Sequence, residues 1–375
     1  MSGLLAKLGI ATEAIRSGPL KAAPSPFEPM TPEIRRVTRA LVDEIHRMFV
    51  TMVGDRRALG PEELRPLVDG RVPIAGCSPS FTILSPPESF HRTFTDSPFD
   101  VTEMSFSNYM TQKQRGVAGY IAIPVFLSRV FRHSGIYIRA DRGIDAPADL
   151  RGRVIGVPEY PMTAAVWQRG MLQDEYGVAP GDMRWRTGGM EQTGRVERTP
   201  FTPPNGVDIT PIPADKTLSG MLADGELDAL MAPQAPSCFT RGAPNIVRLF
   251  PDYRAAEQAY YAKTGLHPIM HLVVVRDSLA ERHPWLCASL YKAFREAKQL
   301  AIADLEKIGS LAVSLPWVGA ELEATRALLG DDFWPYGVAE NAKELETLIR
   351  YSHEQGLTER RLGVAELFAA TTFEY

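Results

Sequence analysis

The stretch RVIGVPEYPMTAAVWQRGML, Arg153 to Leu172, carries the pattern in this sequence best suited to holding an anion. A short apolar strand ending at Val157 runs into a proline-bracketed loop, Pro158 to Pro161, and then into a helix opened by Thr163 and two alanines. Small residues at a helix start leave its first amides uncovered, and with the helix dipole those amides attract a carboxylate or phosphate. Met162, Thr163 and Ala164 would supply the amides and Thr163 a hydroxyl, with Tyr160 beside them as a further ligand contact; the competing reading is an ordinary turn with a plain cap. Arg129 and Arg132, in SRVFRHS, have the planar fork that clamps a carboxylate in two bonds, against surface pairing for whichever points away. His133, next in the chain, and His271 titrate near neutral pH and are the natural proton carriers. In TEMSFSNYM, Glu103, Ser105, Ser107 and Tyr109 fall where a strand gives way to a helix, the place at which open α/β sheets seat ligands. Glu103 equally suits a helix cap. In HPIMH, His267 and His271 would form a metal pair on a helix, but Pro268 and the β-rich HLVVV put them on a strand, so no metal is assigned.

Those residues need elements to bring them together, and the chain has three textures. Up to about residue 72 the pattern is helical: TPEIRRVTRALVDEIHRMFVTMVGD has Thr31 as N-cap, Pro32 at the first helical position, and Ile34, Val37, Leu41, Ile45, Met48 and Phe49 along one face. From Pro73 short β-type runs (IAIPVFL, SGIYIRA, RVIGV, LDALMA, HLVVVRD) alternate with helical segments, the signature of an α/β protein with mainly parallel strands. From Pro284 the chain is helix-rich, with PWLCASLYKAFREAKQLAIADLEKIG and NAKELETLIRYSHEQG both amphipathic. Thr187 to Thr217, rich in Gly, Pro and Thr, reads as a surface loop. The aromatic DDFWPYG, with Trp334 and Tyr336, either covers the cleft or packs.

With 375 residues, 45% hydrophobic and 23% charged, the chain is long enough for two or three domains. A net charge of -4 and dispersed arginines exclude a nucleic-acid surface. Cys77, Cys238 and Cys287 form neither a disulfide framework nor a zinc pattern, and suit a reducing compartment as buried small residues. The first residues lack a sustained apolar h-region and no apolar run approaches the roughly 20 residues of a membrane span, so a cytoplasmic protein without membrane contact is expected. His91, His283 and His353 read as surface residues.

The segments FDVTEMSFSNYM, IAIPVFLSRVFRHSGIYI, APADLRGRVIGVPEYPMTAAVWQRGMLQDEYGV, LADGELDALMAP and HPIMHLVVVRD carry a resemblance, over about residues 66 to 375, to the 4,5-dihydroxyphthalate decarboxylase family. The most specific part is the combination of SRVFRHS with VPEYPMTAAVWQRG. The resemblance implies a two-lobed, type II periplasmic-binding-protein-like α/β fold with two crossover strands and the ligand held between the lobes. The crossovers would fall near SGIYIRAD and IMHLVVVRD, giving one lobe from 66–137 and 261–375 and the other from 138–260. Residues 1–72 resemble instead a fragment of the signal peptide peptidase family without a nucleophilic Ser motif. The segment 1–65 is therefore expected to be an atypical, non-catalytic helical addition, standing where the decarboxylases have an early strand with an Asp-Tyr-Asp-type motif.

By this resemblance the reaction is loss of carbon dioxide from 4,5-dihydroxyphthalate to give protocatechuate. Direct loss would strand an electron pair in an sp2 orbital outside the ring's π system, so the ring carbon bearing the carboxylate must first be protonated. Each carboxylate is para to a hydroxyl; a phenol losing its proton pushes electrons to that carbon while a general acid protonates it. The route demands no cofactor. His133 or His271, each bordering a crossover, would be the acid, and Glu103 would accept the phenol proton. Ser105 or Tyr109 would hold a hydroxyl, Arg129, Arg132 and Thr163 the carboxylates, and Trp167 would face the ring. The implied partner is a small aromatic carboxylate, with assembly of identical subunits left open. Two other readings stand beside this one: a solute-binding protein for an aromatic acid, and an inactive fusion in which the foreign segment has displaced a needed strand.

Overall fold

A computed structural model of the protein describes residues 65–96, 98–195, 201–307 and 309–374. They belong to the compact unit Gly60–Tyr375. The helix expected after Thr31, and the whole segment 1–64, lie outside the described residues.

Among the described residues nine strands form two sheets: β1 (Val101–Ser105), β2 (Tyr120–Arg129), β3 (Ile136–Arg139), β4 (Val154–Val157), β5 (Arg184–Thr187), β6 (Asp208–Pro211), β7 (Ala229–Met231), β8 (Ile246–Arg248) and β9 (Ile269–Arg276). The first sheet has the order β1-β9-β2 and the second β6-β5-β4-β7-β3-β8. The chain passes to the second sheet over 130–135 and returns over 249–268, and the two connectors touch where the Val130 amide donates to the Pro268 carbonyl at 3.1 Å. This is the two-lobed, type II periplasmic-binding-protein-like arrangement.

The expectation of mainly parallel strands needs correction. Among the described strands β4/β5, β5/β6 and β4/β7 pair in parallel, whereas β1/β9, β2/β9, β3/β7 and β3/β8 are antiparallel. In the first sheet the cause is the return: β9 re-enters between β1 and β2 and runs opposite to both. The Thr187–Thr217 stretch also holds more order than expected, since β6 extends the second sheet in parallel with β5. Its four mostly exposed residues mark an edge strand, which packing does not stamp with a strong apolar pattern.

Burial explains the rest. β2 and β9 are almost wholly buried, so they read as continuous apolar runs. The 21-residue helix Trp285–Leu305 covers the first sheet with Leu286, Leu290, Tyr291, Phe294 and Ala297. The helix Thr163–Tyr176, following β4, is buried from Thr163 to Leu172 because both lobes pack on it. Gly170 faces the Tyr351 ring of the helix Ala342–Glu354 so closely that a Cβ there would lie 2.3 Å from ring carbons, which makes glycine obligatory at that contact. Trp334 packs, its indole N–H donating to the Phe126 carbonyl at 2.8 Å. Cys238 and Cys287 are buried and Cys77 half-buried, all three as free thiols. Of the three histidines read as surface residues, His91 is exposed and His283 and His353 are half-buried. No helix among the described residues is long and apolar enough to cross a membrane.

Candidate active site

Side-chain alternation puts Glu103 and Ser105 on one face of β1, and the register sets Ser105 opposite His271 on β9. Glu103 thereby reaches His271 diagonally: its Oε1 lies 2.8 Å from Nδ1 of the imidazole. Both side chains keep about a fifth of their surface exposed (17% and 21%), so the pair is held by the sheet yet reachable. Phe90, on the helix Pro86–Thr95, meets the imidazole edge-on at 4.9 Å and fixes its plane. With Nδ1 engaged by the carboxylate, Nε2 is the nitrogen left to exchange a proton with a ligand.

Beside this pair two helices begin. Ser105 is the N-cap of Phe106–Gln114 and Met162 that of Thr163–Tyr176, and neither N-cap side chain bonds its own helix. Instead the hydroxyls link the lobes: Ser105 Oγ and Thr163 Oγ1 are 2.9 Å apart, and the Ser107 amide donates to Thr163 Oγ1 at 3.0 Å. Two positive dipole ends thus converge on one point, an arrangement that an intervening or adjacent anion stabilises. The Ser107 hydroxyl, fully buried there, has no hydrogen-bond partner among the described residues. The Met162 amide is not part of this set, because it donates to the Glu159 carbonyl at 3.2 Å.

Glu103, Ser105, Ser107, Thr163 and His271 are therefore brought together, whereas Tyr109, Trp167, Tyr160, Arg129, Arg132 and His133 are not part of this cluster. Tyr109 is a core residue whose hydroxyl donates to the Leu367 carbonyl (2.7 Å) and accepts from the Ala122 amide (3.1 Å), leaving it no capacity for a ligand hydroxyl. Trp167 spends its N–H on the Ile269 carbonyl at 2.8 Å and lies edge-on to Tyr351, so it joins the lobes rather than facing a substrate ring. Tyr160 is fully buried, between the Arg169 guanidinium at 3.7 Å and the stacked Phe201 ring at 5.3 Å. Arg129 is consumed internally: it donates to the carbonyls of His267 (3.0 Å) and Pro335 (2.9 Å) and to Asn341 Oδ1, with Glu344 at 3.6 Å. Burial pushes its guanidinium down to about 10, with Glu344 opposing that shift.

Arg132 is different. It is buried, its Nε reaches Met270 Sδ at 3.1 Å, and no carboxylate of the described residues comes within ion-pairing distance. Met270 and His271 face opposite sides of β9, so Arg132 stands across that strand from the Glu103–His271 pair.

His133 corrects the second proton-donor assignment. Its ring is boxed edge-on by Phe250 (5.0 Å) and Tyr260 (5.3 Å), it is 1% exposed, and neither nitrogen has a hydrogen-bond partner among the described residues. Burial lowers its pKa to about 4, so the imidazole is uncharged at neutral pH and lacks the acidic imidazolium proton. His267, stacked on Phe131 at 4.7 Å, is lowered to about 3, first by burial and then by Arg129. Both imidazoles are neutral in the native protein and gain protons more readily when unfolded, where the pKa returns toward 6.5. Stability from this source is complete above about pH 6.5 and is lost as the pH falls through the window down to about 4 for His133 and about 3 for His267. Thermal unfolding should accordingly be flat above about pH 6.5 and decline below it, and His133→Gln should make that decline shallower. An unchanged slope in the variant would assign the acid sensitivity elsewhere.

Ser107 stands in the stretch TEMSFSNYM with no role of its own assigned from the sequence. Phe90 carried no signal at all, being one aromatic residue on a short helix that only the packing brings to His271.

Comparison with known proteins follows the same division of the chain. Residues 1–75 match the model of peptidase family S49. The chain is 45% identical over 313 residues to a 4,5-dihydroxyphthalate decarboxylase of Comamonas testosteroni, covering 84% of this chain and 95% of that protein. It is 48% identical over 198 residues to a 4,5-dihydroxyphthalate decarboxylase of Pseudomonas putida, covering 53% of this chain and 77% of that one. Among solved structures, the periplasmic aliphatic sulphonate binding protein SsuA from Escherichia coli aligns with a TM-score of 0.45 at 13% identity, covering 85% of this chain and 96% of that one.

Proposed function

The chain belongs to the 4,5-dihydroxyphthalate decarboxylase family, and from that premise we propose that it is a carboxy-lyase converting 4,5-dihydroxyphthalate to protocatechuate and carbon dioxide, with His271 as the proton donor. The observation that carries the assignment of roles is the Glu103–His271 pair next to two converging helix N-termini. Family membership favours this reading over a solute receptor.

The dianionic ring would place one carboxylate at the amides of Thr163 and Ala164 and the Ser107 hydroxyl, and turn the ring carbon under attack toward His271 Nε2. As the para hydroxyl gives up its proton, electron density rises at the carbon bearing the carboxylate, and His271 protonates that carbon. The carbon becomes tetrahedral; its bond to the carboxylate breaks, carbon dioxide leaves, and the bonding pair returns to the ring to restore aromaticity. Glu103 holds the Nδ1 proton, fixes the tautomer and stabilises the charged imidazole before the transfer. Ser105 orients the Thr163 side chain. The phenol proton goes to solvent or to Glu103, which has a second carboxylate oxygen for it. The three free cysteines are consistent with a reducing, cytoplasmic setting, and the reaction is a step of aromatic-acid breakdown.

Incubation of the purified full-length chain with 4,5-dihydroxyphthalate tests the proposal. Carbon dioxide and protocatechuate should appear in equal amounts, and in heavy water the product should carry one deuterium at the vacated ring carbon. Tight binding without carbon dioxide would return the receptor reading, and neither binding nor turnover the inactive fusion.

A further inference from the structure

We infer that Arg169 and Gln355 are positioning residues that set the anion-binding loop of the site from behind, an inference resting on the substrate-carboxylate site proposed above. Arg169 lies six residues into the helix that Thr163 opens, about 9 Å along its axis from Thr163 at 1.5 Å per residue. It is fully buried. Its terminal nitrogen donates to the Tyr160 carbonyl at 2.7 Å, and its guanidinium lies over the Tyr160 ring at 3.7 Å. Both contacts fall on the loop between β4 and the helix, two and three residues before Met162 and Thr163.

The other end of the fork is held from the C-terminal part of the chain. Arg169 Nε donates to Gln355 Oε1 at 2.8 Å, and Gln355 Nε2 donates to the Val166 carbonyl at 2.9 Å. Gln355 is itself buried and directly follows the helix Ala342–Glu354. One amide side chain thus braces both the guanidinium and the first turn of the helix, and the guanidinium braces the loop that leads into that turn. A guanidinium in a buried setting carries a desolvation cost that an apolar side chain would avoid. Its planar fork accounts for its presence, since it sends parallel donors to Gln355 and Tyr160 while its face stacks on a ring, which a lysine ammonium cannot do. The amides of Thr163 and Ala164 are therefore aimed by residues that never touch the substrate.

Arg169→Lys and Gln355→Met keep length or volume and remove this geometry. Binding of the phthalate dianion, measured by calorimetry, should weaken about tenfold in each, the size of one misaligned hydrogen bond to an anion. With 4,5-dihydroxyphthalate the KM should rise by the same factor while kcat changes less than about twofold, because the proton donor on β9 is untouched. Lowered thermal stability with parental phthalate affinity in both variants would overturn the inference and leave the pair a structural role only, as would failure of the parent protein to bind phthalate. Carbon dioxide release by the parent, followed in parallel, reports on the decarboxylase reading separately: its absence overturns that reading, while the affinity ratios still decide the positioning role.

Discussion

His271→Gln should lower kcat for 4,5-dihydroxyphthalate by about two to three orders of magnitude, the usual worth of a positioned general acid, with phthalate affinity within about threefold of the parent. Glutamine preserves a donor toward Glu103, so the β1–β9 pairing and the edge contact with Phe90 lose little. What disappears is an acidic proton at the Nε2 position, used only in the transition state, and such a loss falls on kcat rather than on binding. Glu103→Gln should reproduce a smaller part of the effect, since it leaves the imidazole in place without a carboxylate to fix its tautomer. Parental turnover in His271→Gln would remove the acid from β9 altogether. Equal loss of affinity and turnover would mean that the imidazole only binds.

Arg129→Met should destabilise the fold by about 3–5 kcal/mol, the typical cost of leaving one partner of a buried ion pair behind. The substitution strands Glu344 in a buried setting and leaves Asn341 Oδ1 and the carbonyls of His267 and Pro335 without their shared donor. Urea unfolding measures it. Adding Glu344→Gln should recover part of the loss, because the uncompensated charge is then removed; no recovery would show that the hydrogen bonds rather than the charge carry the effect. At the substrate, by contrast, Arg129→Met should act only through stability, since its terminal nitrogens are spent on His267, Pro335 and Asn341.

These two arginines and two histidines show how far a sequence can be read. SRVFRHS holds two arginines and a histidine of the right chemistry, and spacing alone could not tell that Arg129 is spent on a carbonyl cage while Arg132 has no carboxylate partner among the described residues. His133 and His271 are equal as letters. They separate only because one is enclosed by Phe250 and Tyr260, and the other is set opposite Ser105 by strand register. The strands themselves were legible where burial made them apolar throughout, as in β2 and β9, and illegible at the edge, as in β6. The Thr163 stretch announced itself through small residues and prolines. Its supports did not, because Arg169 and Gln355 stand 186 residues apart and no local pattern links them.

The fit of Tyr351 against Gly170, with Arg169, Gln355 and the bonds from Arg350 and Tyr351 to Asp174, has a bearing on how such a chain can be recombined. By connectivity the last hundred residues belong with the first sheet, but their contacts reach into the helix that opens the second. A chimera that exchanged the 136–248 segment between relatives would inherit one half of a matched joint, with a bulkier residue at 170 or a different partner at 355 meeting an unaltered Tyr351. The unit that can be transplanted intact is the second sheet together with the stretch from Ala342 to Gln355, two pieces distant in the chain that have to be inherited as one.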